Sequence, residues 1–147
     1  MMNKQITLLV NGHKMKSLYE KQFEETRQKY QINQFEIDTL AFLANNPGFN
    51  TAKDIVEIRM IAKSYVSTSV ENLIKKGLLA RVQDKNDRRI IRLQVTEKAI
   101  PVIADIRHGQ DQTVNMLFAG MTDDEIKMFE VLLAKIFNNV EMASRNK

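Results

Sequence analysis

One break in an otherwise helical pattern does most to limit the fold of this chain. Only five glycines and two prolines interrupt its 147 residues, and most apolar residues recur at helical spacing. Residues 78–82 and 89–95 instead form two short runs rich in aliphatic side chains, on either side of a polar turn at 84–87. This arrangement predicts a single β-hairpin within a mainly helical protein.

Four helices are predicted before the hairpin and two after it. Three of their starts carry a capping-box pair, a small polar residue with an acid three positions later: Asn33/Glu36, Thr51/Asp54 and Thr122/Glu125. Gly77 predicts the end of the fourth helix. Thr96 is expected to cap the fifth, and Pro101, beyond the first turn of that helix, is expected to bend it. The predicted helices cover residues 3–28, 34–45, 51–58, 63–76, 97–118 and 122–144.

This order of elements is that of a winged helix-turn-helix. The predicted fold class is therefore mainly α (α+β), with a two-stranded β-wing. The long first and last helices carry more apolar residues than such a small core needs, and exposed apolar helix surface usually marks an oligomer interface. We predict one domain over residues 1–147, with a winged helix-turn-helix core at about 32–98 and dimerisation helices at about 3–28 and 97–144.

Positive charge is concentrated in one third of the chain. The segment from Arg59 to Arg92 contains nine basic and three acidic residues, an excess of six, whereas the rest of the chain has two more acids than bases. A surface that binds a polyanion requires such a concentration of charge. The alternative is a solvated face that happens to be basic.

The fourth predicted helix, KSYVSTSVENLIKKG, has two distinct faces. Val66, Val70 and Leu73 fall within a narrow arc that is expected to face the core. The opposite side carries small hydroxyl residues, which allow a helix to lie deep in the major groove and reach base edges. The positive end of the helix also favours phosphate nearby. The candidate DNA-binding residues of this helix are Lys63, Ser64, Tyr65, Ser67 and Thr68.

The hairpin places arginines at and beside its turn. A guanidinium on a narrow turn can enter the minor groove, whose concentrated negative potential attracts it. Alternation puts Leu93 and Val95 on one face of the second strand and Arg92 on the other. The candidate DNA-binding residues of the hairpin are Arg81, Lys85, Asn86, Asp87, Arg88 and Arg89.

Two of these candidates have a second interpretation. Tyr65 either contacts a thymine methyl group or a phosphate, which we favour, or packs against the preceding helix. Asp87 lies two residues before Arg89 and shares its face, so we predict that Asp87 holds Arg89 in an extended pose. The alternative is a surface ion pair of little energetic weight.

Residues 70–99, VENLIKKGLLARVQDKNDRRIIRLQVTEKA, resemble the recognition helix and wing of the MarR family of bacterial transcription regulators. The matching features are a Leu-x-x-x-Gly-Leu step, an arginine after it, the Asp-Arg-Arg turn and a closing Thr-Glu-Lys. The resemblance implies a homodimer in which residues 63–76 enter the major groove and Arg89 enters the minor groove. The chain has Met60 and Ala62 where the family usually has a glycine turn and a serine cap.

The function implied by these features is a homodimeric, sequence-specific DNA-binding transcriptional regulator. Its operator is expected to be a near-palindrome in double-stranded DNA. A repressor released by a small-molecule effector is favoured, and His13 and Lys16 of the first helix are weak candidates for the effector pocket. The alternative is a winged-helix protein–protein interaction module without specific DNA binding.

Several other classes of function lack support in the sequence. The chain contains no cysteine, which excludes disulfides, thiolate metal sites and a cysteine redox switch. Its two histidines, His13 and His108, fall in different predicted helices, so no metal site and no cofactor are predicted. No catalytic pair or phosphate-binding glycine loop is present, which argues against an enzyme. The early apolar run at 6–10 is too short for a signal peptide or membrane span, so a cytoplasmic protein is expected.

Overall fold

A computed structural model describes residues 3–146. These residues form seven α-helices and a two-stranded sheet, which confirms the predicted fold class. The elements are α1 (Lys4–Lys21), α2 (Glu24–Tyr30), α3 (Gln34–Asn45), α4 (Ala52–Arg59), α5 (Lys63–Lys75), β1 (Leu79–Gln83), β2 (Ile91–Val95), α6 (Ile100–Leu117) and α7 (Asp123–Arg145). They divide into two compact units, one up to Thr113 and one from Val114 on.

The core of the first unit lies between the helices of the helix-turn-helix and the sheet. Leu40 of α3, Ile55 of α4 and Leu73 of α5 are all completely buried. β1 and β2 pair antiparallel with Leu79 opposite Val95. Leu93 is buried on the inner face of β2, and its backbone N–H donates to the carbonyl of Asn50 at 2.7 Å. The wing, defined here as residues 79–95, is thus joined to the segment before α4.

Capping boxes start three helices at the predicted positions. Asn33/Glu36, Thr51/Asp54 and Thr122/Glu125 each form both reciprocal hydrogen bonds, at the starts of α3, α4 and α7. Gly77 has a left-handed φ of 74° after the end of α5, as predicted. The N–H of Gly77 donates to the carbonyl of Ile74, and that of Leu78 to the carbonyl of Leu73. Local sequence therefore sets these boundaries.

The prediction of one continuous helix over residues 3–28 is wrong. The first helix ends at Lys21, and a second helix begins at Glu24. Between them Phe23 leaves helical geometry, with φ −105° and ψ 7°, and is completely buried. Its ring meets Tyr19 edge-to-face with 4.7 Å between centroids. Burial of this ring in the core accounts for the break, which helical periodicity alone does not reveal.

The expected cap at the start of α6 is also wrong. The Thr96 hydroxyl donates to the Gly77 carbonyl at 2.6 Å and does not cap a helix. A 3₁₀ turn at Glu97–Ala99 then leads into α6. Pro101 is the second residue of α6 and not beyond its first turn, so its missing N–H costs no hydrogen bond within that helix. The bend stays a prediction.

The second unit contains α7, whose apolar residues are largely exposed. Phe129 meets Phe118 edge-to-face, with 5.5 Å between ring centroids. Val131, Ile136, Phe137 and Val140 are each at least half exposed. In the first unit, Leu8 and Leu9 of α1 are exposed in the same way. No helix among residues 3–146 combines the length and apolarity required to cross a bilayer.

Candidate nucleic-acid interface

The hydroxyl-bearing face of α5 is exposed, as predicted. Val66, Val70 and Leu73 point into the core and are buried. Ser64, Ser67 and Thr68 lie on the exposed surface together with Lys63. A helix with this distribution can be approached closely by a large ligand from one side, because its outer residues are short.

Tyr65 lies in the first turn of α5 and stacks on Phe35 of α3. The ring centroids are 4.6 Å apart, and the ring planes differ by 8°. Tyr65 keeps 54% of its surface exposed and Phe35 keeps 38%. Packing against another helix is therefore observed, although the partner is α3 rather than the preceding helix α4. Contact between the exposed part of Tyr65 and DNA stays a prediction.

The start of α5 differs from the starts of α3, α4 and α7 because it has no side-chain cap. Ala62 occupies the N-cap position and makes no capping hydrogen bond. Met60, two residues earlier, is left-handed with φ 53° and ψ 38°, a conformation that is uncommon for a residue with a Cβ. The stack of Tyr65 on Phe35 supplies a tertiary contact in the same turn of α5 that lacks the cap.

Asp84 organises the turn at the tip of the wing. Its Oδ2 accepts the backbone N–H groups of Asn86 and Asp87 at 3.0 and 2.9 Å. Its Oδ1 accepts Arg92 Nε at 2.6 Å, and Arg92 also donates to Asn50 Oδ1 at 2.8 Å. Arg92 therefore anchors the wing to the segment before α4. This role of Arg92 was not predicted from the sequence, although an acid and an arginine on opposite sides of the same turn are consistent with it.

The anchor should be visible as an unusual titration of Asp84. The hydrogen bond from Arg92, followed by those from the two backbone N–H groups, lowers the pKa of Asp84 to about 2. Since this value lies below the ordinary ~3.9, the pair's contribution to stability is complete above about pH 5 and is lost as the pH falls towards 2. NMR titration of the Asp84 carboxyl carbon should show a clearly higher pKa in Arg92→Gln. Identical titration curves in the two proteins would contradict the anchoring role.

Arg89 projects from the wing and pairs with Asp87. Its side chain is 91% exposed. Arg89 Nε lies 3.2 Å from Asp87 Oδ1, and a terminal nitrogen lies 3.2 Å from Oδ2. The pairing lowers the pKa of Asp87, first through the Arg89 side chain and then through the Arg89 backbone N–H. This two-point contact gives the guanidinium a defined direction, and its use in DNA binding stays a prediction.

Much of the basic charge between Arg59 and Arg92 is neutralised within the chain. Five of its nine basic residues have an acidic oxygen within 4.0 Å: Arg59, Lys76, Arg81, Arg89 and Arg92. The candidate Arg81 is paired with Glu71 of α5. Among residues 3–146, no such partner is found for Lys63, Lys75, Lys85 and Arg88. The uncompensated charge thus lies at the two ends of α5 and at the wing tip.

His13 and Lys16, the candidates for an effector pocket, are exposed on α1. Lys16 forms an i,i+4 pair with Glu20 at 3.7 Å. Their role in binding an effector stays a prediction.

Residues 30–90 match the model of the MarR family. This segment extends from the end of α2 to the wing tip and contains α5, Arg88 and Arg89. By this match, the part of the chain that holds the helix-turn-helix and the first half of the wing is of MarR type. The match confirms the resemblance seen in the recognition helix and wing.

One curated protein is similar to part of the sequence, and several solved structures are similar in fold. The chain is 26% identical over 89 residues to the uncharacterized HTH-type transcriptional regulator YwhA of Bacillus subtilis (strain 168). The aligned segment is 60% of this chain and 64% of that protein. The chain therefore covers less than two thirds of this relative. A MarR protein from Peptoclostridium difficile DA00132 superposes with a TM-score of 0.80 and 23% identity, covering 97% of this chain and 94% of that one. The S. aureus MepR–DNA complex superposes with a TM-score of 0.75 and 19% identity, covering 94% of this chain and 96% of that one.

Proposed function

We propose that this chain is a MarR family regulator, a homodimeric, sequence-specific DNA-binding protein that represses transcription until a small-molecule effector releases it. The observation that carries the proposal is the juxtaposition of the exposed hydroxyl face of α5 with uncompensated cations on α5 and the wing. A helix of this kind fits the major groove, and an extended arginine fits the minor groove. MepR, which has a similar fold, was solved with DNA bound.

Exposed apolar side chains support the dimer. Leu8 and Leu9 are 72% and 74% exposed on α1, and Phe137 is 60% exposed on α7. Apolar surface of this extent is usually covered by a partner. A second copy places two α5 helices about a two-fold axis, which requires half-sites about one helical turn apart. Sedimentation at micromolar concentration tests this part of the proposal, because a stable monomer would contradict it.

Selection of genomic DNA fragments by the purified protein tests the function as a whole. One enriched near-palindrome is expected from the parent chain, and Arg89→Ala should lose it. Retention of DNA without any motif in both proteins would instead indicate a nonspecific basic surface. It would then favour the alternative, a protein-interaction module, which has no need for uncompensated cations on α5 and the wing.

Substitutions at Ser67 and Thr68 should change specificity more than affinity for DNA in general. Both side chains are exposed on the outer face of α5, where a base-reading residue must lie. Thr68→Ala is expected to reduce the preference for the selected site by roughly 1–3 kcal/mol per base pair read. Competition between the selected site and a scrambled duplex measures this preference. An equal loss on both duplexes would argue against base reading.

A further inference from the structure

A second potential site lies away from the wing, where α1, α3, α4 and α6 meet. It is an open cavity of about 350 Å³, within the range of small-molecule sites. Its walls combine apolar side chains with a few polar groups that converge on the same space. The lining includes Tyr19, Asp38, Phe42, Ile58, Arg59 and Gln110.

Asp38 is the most deeply placed charged group in this cavity. Its side chain is only 14% exposed, whereas that of Arg59 is 41% exposed. Gln34 Nε2 donates to Asp38 Oδ1 at 3.1 Å, and an Arg59 nitrogen lies 3.5 Å from Oδ2. At that distance the pair makes no good hydrogen bond. The carboxylate is thus removed from water without full compensation.

The electrostatics of Asp38 agree with this geometry. Burial raises the pKa of Asp38, and this outweighs the lowering by the Gln34 hydrogen bond and by Arg59. Two charged residues of α1 have smaller and opposite influences: Glu20 raises the pKa, and Lys16 lowers it. A buried carboxylate in this condition gains from a cation that approaches more closely than Arg59 does.

We propose that the cavity binds a small organic cation whose charged nitrogen replaces Arg59 at Asp38. The displaced guanidinium is hydrated more readily than the carboxylate, because the Arg59 side chain is 41% exposed and that of Asp38 is 14% exposed. Phe42 and Ile58 offer apolar surface for the body of the ligand. An anion is disfavoured, since contact with Arg59 would bring it close to Asp38.

The polar groups opposite Asp38 give the ligand a second contact. Gln110 Nε2 lies 3.4 Å from the Tyr19 hydroxyl oxygen, which acts as acceptor. The Tyr19 hydroxyl therefore keeps its own proton for donation. A cation with a hydrogen-bond acceptor on its far side matches this pair better than a simple alkylamine does.

Ligand binding at Asp38 is also expected to affect the connection between α4 and α5. Arg59 is the last residue of α4, and Met60, next to it, has the left-handed backbone that turns the chain towards α5. Replacing the Arg59 contact removes a tie between the end of α4 and α3. The effect of the ligand on DNA binding rests on the proposed DNA-binding function. The binding of the ligand in the cavity does not depend on that function.

Calorimetry with three probes of similar shape and different charge tests the site. Benzamidinium carries a positive charge, benzamide is neutral and benzoate is negative. The intact chain should bind benzamidinium saturably with one site per chain, benzamide more weakly and benzoate not at all. Failure to bind benzamidinium at millimolar concentration would overturn the proposal, and so would preference for benzoate.

Two variants with opposite expected effects distinguish a direct role in ligand binding from a general disturbance of the fold. Asp38→Asn should weaken benzamidinium binding by about tenfold or more, because a charged hydrogen bond is lost. Arg59→Ala should strengthen it by about two- to fivefold, because no internal cation has to be displaced. Asp105→Asn, which removes an acid outside the cavity, is the matched control and should change nothing. Weaker binding in Arg59→Ala would overturn the displacement step.

A DNA titration separates this inference from the proposed function. Benzamidinium added to the complex with the selected genomic fragment should release DNA from the parent chain and not from Asp38→Asn. If calorimetry shows the site but no fragment is ever selected, the ligand site stands and the DNA-binding function fails. If a DNA fragment is selected and no probe binds, the DNA-binding function stands and the ligand site fails.

Discussion

Arg89→Ala is expected to weaken binding to the selected DNA by roughly ten- to a hundredfold and to lower the salt-dependence slope by about one. The Arg89 guanidinium is 91% exposed on the wing, so its loss removes a groove and phosphate contact without disturbing the core. Fluorescence anisotropy at several salt concentrations gives both quantities. The matched control is Arg145→Ala, which removes an arginine that is 80% exposed on α7. Affinity and slope unchanged in Arg89→Ala would refute the role of the wing.

Asp87→Ala then distinguishes the two interpretations of the pair with Arg89. This substitution adds one unit of positive charge to the wing, which by itself would strengthen binding to DNA. If Asp87 holds Arg89 in its extended pose, affinity should fall despite the added charge, because the freed side chain loses conformational entropy on binding. A gain in affinity would identify the contact as a surface ion pair without a positioning role.

Phe23→Ala should produce a large loss of stability, about 3–5 kcal/mol in the free energy of unfolding. The Phe23 side chain is completely buried between α1 and α6, against Tyr19 and the backbone at Gly109. Its removal leaves a cavity that the backbone cannot readily fill. Urea unfolding at one fixed protein concentration measures the loss. Phe49→Ala, at a residue that is 51% exposed, is the control and should cost far less.

Gly109 provides an independent check on the same contact. A Cβ at this position would lie 2.7 Å from Phe23 Cε1 and 3.0 Å from Cδ1. Gly109→Ala should therefore destabilise the protein by about 1–3 kcal/mol, despite the ~0.5–1 kcal/mol that alanine gains over glycine inside a helix. In a Phe23→Leu background the loss should shrink. An equal loss in both backgrounds would show that the Phe23 ring is not the obstacle.

Local signals predicted the helix-turn-helix well because they act within a few residues. The three capping boxes and Gly77 are where the sequence indicated, since a cap requires only its own turn of helix. The buried and exposed faces of α5 also follow from periodicity alone. The family resemblance in the wing rests on equally local spacing.

The errors arise where a distant residue decides the local structure. Phe23 breaks the first helix because its ring fits beside Gly109, 86 positions later in the sequence numbering. The Thr96 hydroxyl bonds to Gly77 rather than capping α6. Arg92 was counted among the basic charges but is engaged by Asp84 and Asn50. Periodicity and composition contain no information on such tertiary partners.

The uncapped start of α5 matters for attempts to redirect the protein to a new target sequence. A variant library that randomised every exposed residue in the first two turns of α5 would include Tyr65, whose ring stacks on Phe35. Most members would then lose the contact in the turn that has no side-chain cap, and poor binders would reflect a displaced helix rather than a wrong base preference. A library confined to Ser64, Ser67 and Thr68 samples sequence preference on a helix of constant placement.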